Sequence, residues 1–511
     1  MSTALGIVAT PREAPPRTRR RRPGLFDAPL PGRGTGRLRI MGAVSGVALV
    51  VIPIVLVQIA PEALSQLQAI YSAIIVALCL LPTFLYLQIS PRPPFPLMPL
   101  VGLFHAIAYG LPMFYTYTTV IVGLHSVSDE TLLLVIGALV STYFGYYLLP
   151  KALGKIATPL RLPAEQNKSR TMTALWILLG IHLFLLAIPS VVKAVGLDQF
   201  AVSSAYPAWG MLLIWTLRGY LTAGEKFVAW GVVMPIELLY RFTSGLLANV
   251  MIWALFFTIV YWIERRRLPW VTLVCGAVIF VPLNEAKVEF RAQTWFSGLH
   301  SGAGLVEKAQ LFADLAWRAA TDPVAKGDDS FHTDNQVYRA TQTIFLDNII
   351  RMTPSQVPYW NGATYTSIVY KLIPRLFWPD KPTETLGVEF SRRYGLRGTE
   401  DATTSINVPW LVEMYANFGT FGVLVGTTLV GFLFAMLELK FNSYRLSLLE
   451  LMVGISILFD LFYQESNFSL MVGSKILLTV AFRLFFTMVL QDRKSTRKLS
   501  VRTEAHSTAS P

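Results

Sequence analysis

The chain is built from repeated apolar runs, each about as long as a helix that crosses a lipid bilayer. A bilayer core takes about 20 apolar residues per helix, and backbone groups inside it must be hydrogen-bonded within the chain. The runs therefore predict an all-α polytopic membrane protein. Twelve candidate spans cover residues 40–60, 69–89, 96–115, 129–149, 171–192, 205–221, 227–240, 245–263, 268–284, 407–435, 446–463 and 472–491.

The composition supports this class. Of the 511 residues, 53% are hydrophobic and 15% are charged, whereas about a quarter of a typical soluble domain is charged. The two cysteines, Cys79 and Cys275, both lie within apolar runs and match no metal-ligand spacing. The formal charge of +13 could indicate a nucleic-acid partner, but the positions of the basic residues argue against nucleic acid.

Basic residues concentrate in alternate connecting segments, such as RTRRRR at 17–22 and RRR at 265–267, while the short segments between carry only Lys193 and Arg241. Lys and Arg favour the cytoplasmic side of a membrane. The pattern predicts that both termini are cytoplasmic. It also predicts five regions: a disordered basic tail (1–39), nine spans (40–284), a large extracytoplasmic loop (285–406), three spans (407–491) and a second tail (492–511).

The predicted loop carries most of the soluble part of the chain. Two amphipathic helical patterns occur in it, GLVEKAQLFADLAWRAA and NQVYRATQTIFLDNIIRM. A stretch rich in proline and aromatic residues follows, and it includes Tyr359 and Trp360. We expect the helices and this stretch to fold over the membrane as a lid lined by aromatic side chains.

The first chemistry-bearing stretch is PLNEAKVEFRAQTW, at the end of the ninth predicted span. Asn284, Lys287 and Arg291 fall on one helical face. Two cations one turn apart repel each other unless an anion lies between them, and a lipid diphosphate at the membrane surface has the matching charge. The alternative is that both cations reach lipid headgroups and pair with Glu285 and Glu289.

The second stretch is IPRLFWPDKP. Its three prolines exclude a continuous helix and predict a rigid turn that presents Arg375, Asp380 and Lys381. The Trp378 ring could bind a lipid tail or stack on a sugar. The alternative is a loop that packs its aromatic rings on the membrane surface, with Arg375 paired to Asp380.

The third stretch, SINVPWLVEMYANFGTFG, returns the chain to the membrane. Glu413 lies near the start of the tenth predicted span, and Asn417 follows one turn later. A carboxylate withdrawn from water has a raised pKa and can act as a general base. The alternative is that Glu413 pairs with an arginine of the loop. The weaker candidates Asp460 and Glu465 end the eleventh span.

Motifs of several other chemistries are absent from the sequence. No cluster of His, Cys and Asp has the spacing of metal ligands, and no nucleophile elbow or phosphate-binding glycine loop occurs. The histidines in or at the edges of spans, His105, His125 and His182, are interpreted as packing residues with satisfied hydrogen bonds rather than as ligands. Any transferase chemistry should therefore use a lipid-linked donor without a metal or cofactor.

The segment from about 282 to 422, with IPRLFWPDKP and YGLRGTEDATTSINVPWLVEMYANFGTFG, resembles the oligosaccharide repeat-unit polymerases of the O-antigen polymerase type. The resemblance implies a GT-C-like enzyme of the bacterial inner membrane. Such an enzyme joins undecaprenyl-diphosphate-linked glycan units, with a chain-length regulator and a flippase as further partners. The related O-antigen ligases use a loop histidine without a clear counterpart here, so Glu413 takes the place of general base.

Some polymerases of this type carry an external arginine eleven positions before a glycine. Arg351 with Gly362 fits that spacing, as does Arg291 with Gly302. Two such hits are unremarkable among the external arginines, and the spacing only raises Arg351 slightly as a candidate. From the three stretches and the resemblance we predict Glu413, Arg291 and Arg375 as catalytic residues. The predicted substrate-binding residues are Lys287, Arg351, Lys381, Asp380, Tyr359, Trp360, Trp378 and Asn417.

Three other functions stay open at this point. An O-antigen-ligase-like enzyme would move finished glycan onto another acceptor and share the same scaffold. A transporter or flippase of lipid-linked sugars would concentrate ionisable residues at the middle of the membrane. A structural scaffold of an envelope-synthesis complex would leave synthesis intact when the loop is inactivated.

Overall fold

The fold is described by a computed structural model, and every regular element in the described part of the chain is helical. The described residues are 24–29, 36–89, 92–116, 127–150, 159–163, 167–188, 203–245, 247–296, 300, 302–321, 337–338, 340–371, 373, 378, 380–382, 385–396 and 405–490.

The α-helices in chain order are α1 (Gly36–Gln58), α2 (Gln66–Gln88), α3 (Leu97–His105), α4 (Asp129–Tyr143), α5 (Lys168–Ala187), α6 (Ala205–Arg218), α7 (Ala223–Lys226), α8 (Met234–Thr243), α9 (Leu247–Arg265), α10 (Trp270–Arg291), α11 (Leu305–Thr321), α12 (Gln342–Met352), α13 (Ser367–Lys371), α14 (Leu386–Arg393), α15 (Trp410–Phe441), α16 (Leu448–Leu458) and α17 (Phe468–Leu490). Short π and 3₁₀ turns extend α3, α4, α10 and α16, and a π turn joins α7 to α8.

Within the described residues, nine helices are long and apolar enough to cross a membrane. They overlap nine of the twelve predicted spans. The other three predicted spans fall on shorter elements: 205–221 on α6, 227–240 on the π turn Phe227–Val233 and α8, and 446–463 on α16. The described chain is thus all-helical and suited to a bilayer, while the count of twelve spans stays a prediction.

Local sequence explains where several helices begin. Ser65 and Gln68 form a capping box at the start of α2, and Ser447 and Glu450 form another at the start of α16. In each box the serine hydroxyl accepts a hydrogen bond from a backbone N–H, and so does the side chain of the Gln or Glu three positions later. These N–H groups have no partner inside the helix. The two boxes stabilise these starts at opposite ends of the bundle.

Long-range contacts define one end of the bundle, here called the tail end because residues 24–28 lie there. The Trp215 indole N–H donates to the Leu25 carbonyl at 2.9 Å, and the Leu448 backbone N–H donates to the Phe26 carbonyl at 2.9 Å. Arg218 at the end of α6 pairs with Glu264 at the end of α9, at 2.9 Å. Chain segments predicted to be cytoplasmic therefore meet at one end, and the compartment that this end faces stays a prediction.

The opposite end, here called the loop end, is formed largely by the segment 285–406. The amphipathic patterns form α11 and α12 as predicted, but the two helices do different things. Helix α11 packs on α8 and α10, where Phe312 contacts Phe242 and Phe290. Helix α12 is inserted against α4 and α15, and seven of its side chains are buried. Part of the predicted lid is therefore a component of the core.

One prediction about the spans needs correction. Arg241 was predicted in a short external loop, but it lies in α8 and pairs with the buried Glu237 at 2.7 Å. His182 was interpreted as a satisfied packing residue, and its Nε2 lies 2.8 Å from the other oxygen of Glu237. A buried charge requires partners, and these partners come from two different helices. Helix α10 continues past the predicted span end at 284 to Arg291, as expected.

Candidate functional site

Helix α15 is two helices that fold back on each other, which corrects the predicted single span 407–435. The Trp410 ring lies 6.0 Å from the Phe434 ring, whereas about 36 Å would separate these positions along a continuous helix. The Met414 side chain likewise reaches Gly426. Residues 410–417 therefore run back along residues 420–434, and we call the two together the re-entrant hairpin.

The tip of the re-entrant hairpin is at Phe418 and Gly419. Gly419 has φ +64° and ψ −154°, a conformation that is available almost only to glycine. A Cβ at this position would also lie 2.7 Å from the Tyr359 hydroxyl oxygen. The tip therefore requires a glycine for its backbone conformation and for the close approach of Tyr359.

The loop at 359–364 binds the carbonyl groups that the helix break leaves without helical partners. The Trp360 N–H donates to the Ala416 carbonyl at 3.0 Å, and the Asn361 N–H donates to the Asn417 carbonyl at 3.3 Å. Because unpaired buried carbonyls are costly, the loop and the hairpin stabilise each other. Two predicted substrate-binding residues, Tyr359 and Trp360, are thereby brought to the tip.

The Asn417 side chain joins the two halves of this arrangement. It is fully buried, its oxygen accepts from the Gly362 N–H at 2.8 Å, and its amide nitrogen donates to the Thr364 hydroxyl at 2.8 Å. The same nitrogen donates to the Glu413 carbonyl at 2.7 Å. Asn417 was predicted to bind substrate, but these contacts show it organising the loop and the hairpin.

Glu413 lies one turn below Asn417 and is also fully buried. One carboxylate oxygen accepts from the Phe468 backbone N–H at the start of α17, at 2.7 Å. Tyr365 lies near Glu413. Burial is the main cause that raises the pKa of the Tyr365 hydroxyl, and the negative charge of Glu413 raises it further. The predicted general base is thus placed within a built polar site, beside a tyrosine that stays protonated at neutral pH.

An apolar groove of about 450 Å³ begins beside this polar site. Tyr365, Phe418 and Phe468 are among its lining residues, and residues between 421 and 433 of the hairpin form much of its wall. Its volume lies within the range of ligand pockets, about 300–1,000 Å³. The groove and the buried carboxylate together suit a ligand with a polar head and an apolar chain.

Three aromatic and cationic groups are stacked above the hairpin. The Trp360 ring lies nearly parallel to the Phe390 ring, 5.9 Å away, and the Arg393 guanidinium lies 4.4 Å from the Trp360 ring centre. Arg393 was not among the predicted site residues. No local pattern distinguishes it from the other arginines of the loop, since its position depends on α14 packing against the 359–364 loop.

Asp347 fixes α12 to the start of α4. One of its oxygens accepts from the Ser128 N–H at 2.8 Å and from the Ser128 and Thr131 hydroxyls at 2.6 Å each. The other accepts from Arg351 Nε at 2.6 Å. Burial opposes ionisation, but the hydrogen bonds from Arg351, Ser128 and Thr131 outweigh it and hold the pKa of Asp347 well below its usual range. Arg351, predicted to bind substrate, is therefore anchored while half of its side chain is exposed.

Lys287 and Arg291 are placed on α10 rather than at the hairpin. The Lys287 ammonium donates to the Asn284 side-chain oxygen at 2.9 Å, and the Arg291 guanidinium lies 4.1 Å from the Trp295 ring centre. Arg291 also lies against Gly245, and its helix packs on α11.

The proline-rich turn is described only in part, and Arg375 lies outside the described residues. Asp380 is exposed, and the Trp378 ring is 38% exposed. The Lys381 ammonium donates to the Ile373 carbonyl at 2.8 Å. The alternative pairing of Arg375 with Asp380 therefore stays a prediction. Across the described residues, no three or more His, Cys, Asp or Glu side chains group as metal ligands would.

The long apolar helices define the class of the protein: in its described part it is all-helical, with several helices long and apolar enough to cross a membrane. The chain belongs to a family defined by a domain of unknown function (DUF8712), whose profile matches residues 153–495. The match includes the re-entrant hairpin, α12, α14 and the groove. No curated protein and no solved structure matches the chain.

Proposed function

We propose that the protein is a membrane glycosyltransferase that polymerises undecaprenyl-diphosphate-linked oligosaccharide units into a surface polysaccharide at the bacterial inner membrane. One observation carries the proposal: a fully buried carboxylate, Glu413, accepts a hydrogen bond from the backbone N–H of Phe468, whose side chain lines an apolar groove. A lipid-linked glycan has the matching form, because its chain can occupy the groove while its diphosphate and sugar remain at the polar site.

In the proposed step, a hydroxyl oxygen of the acceptor sugar forms a bond to the anomeric carbon of the donor. The bond from that carbon to the diphosphate oxygen breaks, the configuration inverts, and lipid diphosphate leaves with the bonding electron pair. Glu413 takes the proton from the attacking hydroxyl as general base. Cations at the loop end stabilise the charge that develops on the leaving group.

The roles of Lys287, Arg291 and Arg375 in holding the diphosphate stay predictions. Lys287 and Arg291 lie on α10, which packs on α11, and Arg291 also lies against Gly245. Arg375 lies outside the described residues. Arg351 and Lys381 are held by Asp347 and the Ile373 carbonyl. In the proposal, Tyr359, Trp360 and Trp378 lie along the glycan path, where aromatic faces can stack on sugar rings.

The test uses purified protein in detergent with an undecaprenyl-diphosphate-linked repeat unit, and the product is a ladder of longer glycans. Replacing Glu413 with Gln keeps the side-chain shape but removes the base. We expect the rate of ladder formation to fall by roughly a hundredfold or more. The matched control is Glu307→Gln on the exposed face of α11, which should leave the rate unchanged.

The outcomes separate the proposal from its rivals. A Glu413→Gln protein that polymerises at the wild-type rate removes Glu413 from the mechanism. If wild-type protein forms no ladder but transfers a finished glycan to another acceptor, the enzyme is ligase-like. Thermal unfolding of both variants should match wild type, which distinguishes lost chemistry from lost structure.

A second candidate, transport of lipid-linked sugars, is favoured by ionisable groups buried among the helices. His182, Glu237 and Arg241 form one group, and Lys475 pairs with Asp460 at 2.6 Å in another. Buried ionisable residues in membrane helices often mark transport paths. In proteoliposomes, movement of the lipid-linked unit across the bilayer without any new glycosidic bond would support transport over polymerisation.

A further inference from the structure

We propose that Arg393, stacked on Trp360, binds the phosphate groups of an anionic lipid whose chain occupies the apolar groove. The inference rests on the proposed function for the identity of this lipid, a polyprenyl diphosphate. It assigns the head-group contact to a residue on α14, and it joins that contact to the groove as the two parts of one binding site.

The Arg393 guanidinium is held in position before any ligand binds. Its plane is supported by the Trp360 ring, with 4.4 Å from the guanidinium carbon to the ring centre, and one terminal nitrogen donates to the Pro358 carbonyl at 2.6 Å. The Trp360 ring is itself stacked with Phe390. A guanidinium fixed in this way keeps further N–H donors in one plane, which is the geometry that binds phosphate oxygens in pairs.

Arg393 also differs in its charge balance from four of the other arginines of the described chain. Arg218, Arg241, Arg318 and Arg351 each pair with a carboxylate. Among the described residues no carboxylate forms an ion pair with Arg393, whose hydrogen-bond acceptor is a neutral backbone carbonyl. A partly buried cation without a counter-charge favours an anionic ligand.

The stacked side chains of Arg393 and Trp360 are connected to the lining of the groove through a few residues. Trp360 donates its backbone N–H to Ala416, three residues below the hairpin tip at Gly419. Gly362, two positions after Trp360, lies against the Phe418 ring, where an added Cβ would be 3.1 Å from the nearest ring carbon. Phe418 in turn stacks with Tyr365, and both line the groove. The cation is thus connected to the apolar wall through residues that contact one another.

The test measures binding without turnover, using purified full-length protein and three probes: undecaprenyl diphosphate, uncharged undecaprenol and inorganic diphosphate. Arg393→Gln should weaken binding of undecaprenyl diphosphate roughly ten- to hundredfold, as expected for the loss of charged hydrogen bonds. It should leave undecaprenol binding unchanged. Arg393→Lys, which keeps the charge but not the planar pair of donors, should lose part of the affinity.

A second pair of variants tests the groove. Leu429→Trp narrows the groove at a lining residue, and the control Leu439→Trp changes an exposed position on the same helix outside the lining. Leu429→Trp should weaken binding of both undecaprenyl probes and leave inorganic diphosphate unchanged, while Leu439→Trp should affect none of them. Arg318→Gln on α11 is the control for the loss of an exposed arginine.

Each outcome decides the inference. Wild-type affinity of Arg393→Gln for undecaprenyl diphosphate overturns it, as does an equal loss for undecaprenol, which would show that Arg393 only maintains the fold. If Arg393→Gln unfolds, the ratio of the two affinities in Arg393→Lys decides instead, since an unchanged ratio overturns the inference. Because no polymer is measured, a protein that binds the lipid through Arg393 yet makes no ladder refutes the proposed function alone.

Discussion

Two buried carboxylates at the loop end, Asp347 and Glu413, are placed for different tasks. Asp347 accepts hydrogen bonds from Ser128, Thr131 and Arg351 and connects α12 to α4. Glu413 accepts from the backbone N–H of Phe468, whose side chain lines the groove. The first is a structural anchor and the second is the proposed base. Their substitution should therefore affect stability and chemistry separately.

Asp347→Asn should destabilise the protein by on the order of 2 kcal/mol at neutral pH, because it removes the charge that these donors stabilise. Asp314→Asn is the matched control, since Asp314 also pairs with an arginine four positions later but is exposed. Its effect should be close to zero. Thermal unfolding of the purified proteins in detergent measures both, and equal losses would contradict a special role for Asp347.

The same carboxylate should give a defined pH dependence. The pKa of Asp347 is lower in the folded protein than in the unfolded chain, where an aspartate has a pKa of about 3.9. Its stabilisation is therefore complete above that pH and is lost as the pH falls toward the folded-state pKa. The stability difference between wild type and Asp347→Asn should be constant from pH 8 to about 5 and shrink below about pH 4.

At the scale of single residues, the sequence indicated some of the site and missed some of it. Glu413 and Asn417 could be predicted as candidate site residues because polar side chains are unexpected at the start of an apolar run. Arg393 could not be predicted, because α14 brings it onto the ring of Trp360, which lies 33 positions earlier in the chain. Thr364 and Tyr365 were missed because an ordinary polar loop contains similar residues.

At the scale of elements, the re-entrant hairpin is the main difference from expectation. Its apolar pattern is continuous, so hydropathy alone predicts a single span through the break. The break depends on the 359–364 loop, whose N–H groups bind the Ala416 and Asn417 carbonyls. Broken helices at membrane depth occur where protein groups satisfy the freed backbone. A glycine in a membrane helix is too common to predict such a break.

Gly419→Ala should destabilise the hairpin by roughly 2 kcal/mol or more, from backbone strain and from contact with the Tyr359 hydroxyl. It should also reduce lipid binding at the groove, whose lining includes Phe418. Gly180→Ala is the control, because a Cβ there meets no atom within 4 Å. In a helix interior that change should stabilise by up to about 1 kcal/mol. Unfolding curves showing the same shift for both variants would refute the role given to Gly419.

At the scale of the whole molecule, the tail end and the loop end are predicted to face opposite sides of the membrane. In a Cys275→Ser background, cysteine can be introduced at exposed Ser355 near the loop end and at exposed Arg445 near the tail end. In intact cells an impermeant maleimide should label Ser355→Cys, and it should label Arg445→Cys only after lysis. The reverse pattern would invert the orientation and remove the proposed site from the external face.

Hydropathy and the positions of basic residues were enough to predict the helical class and, in the described part of the chain, nine helices long and apolar enough to cross a membrane. They were enough because the transfer of a helix into a bilayer depends on about 20 consecutive residues. Packing decided where α15 folds back, which helix of the loop enters the core and which arginine stacks on Trp360. Those features depend on contacts between residues far apart in the chain, whose hydrogen bonds and close approaches exist only after the helices have assembled.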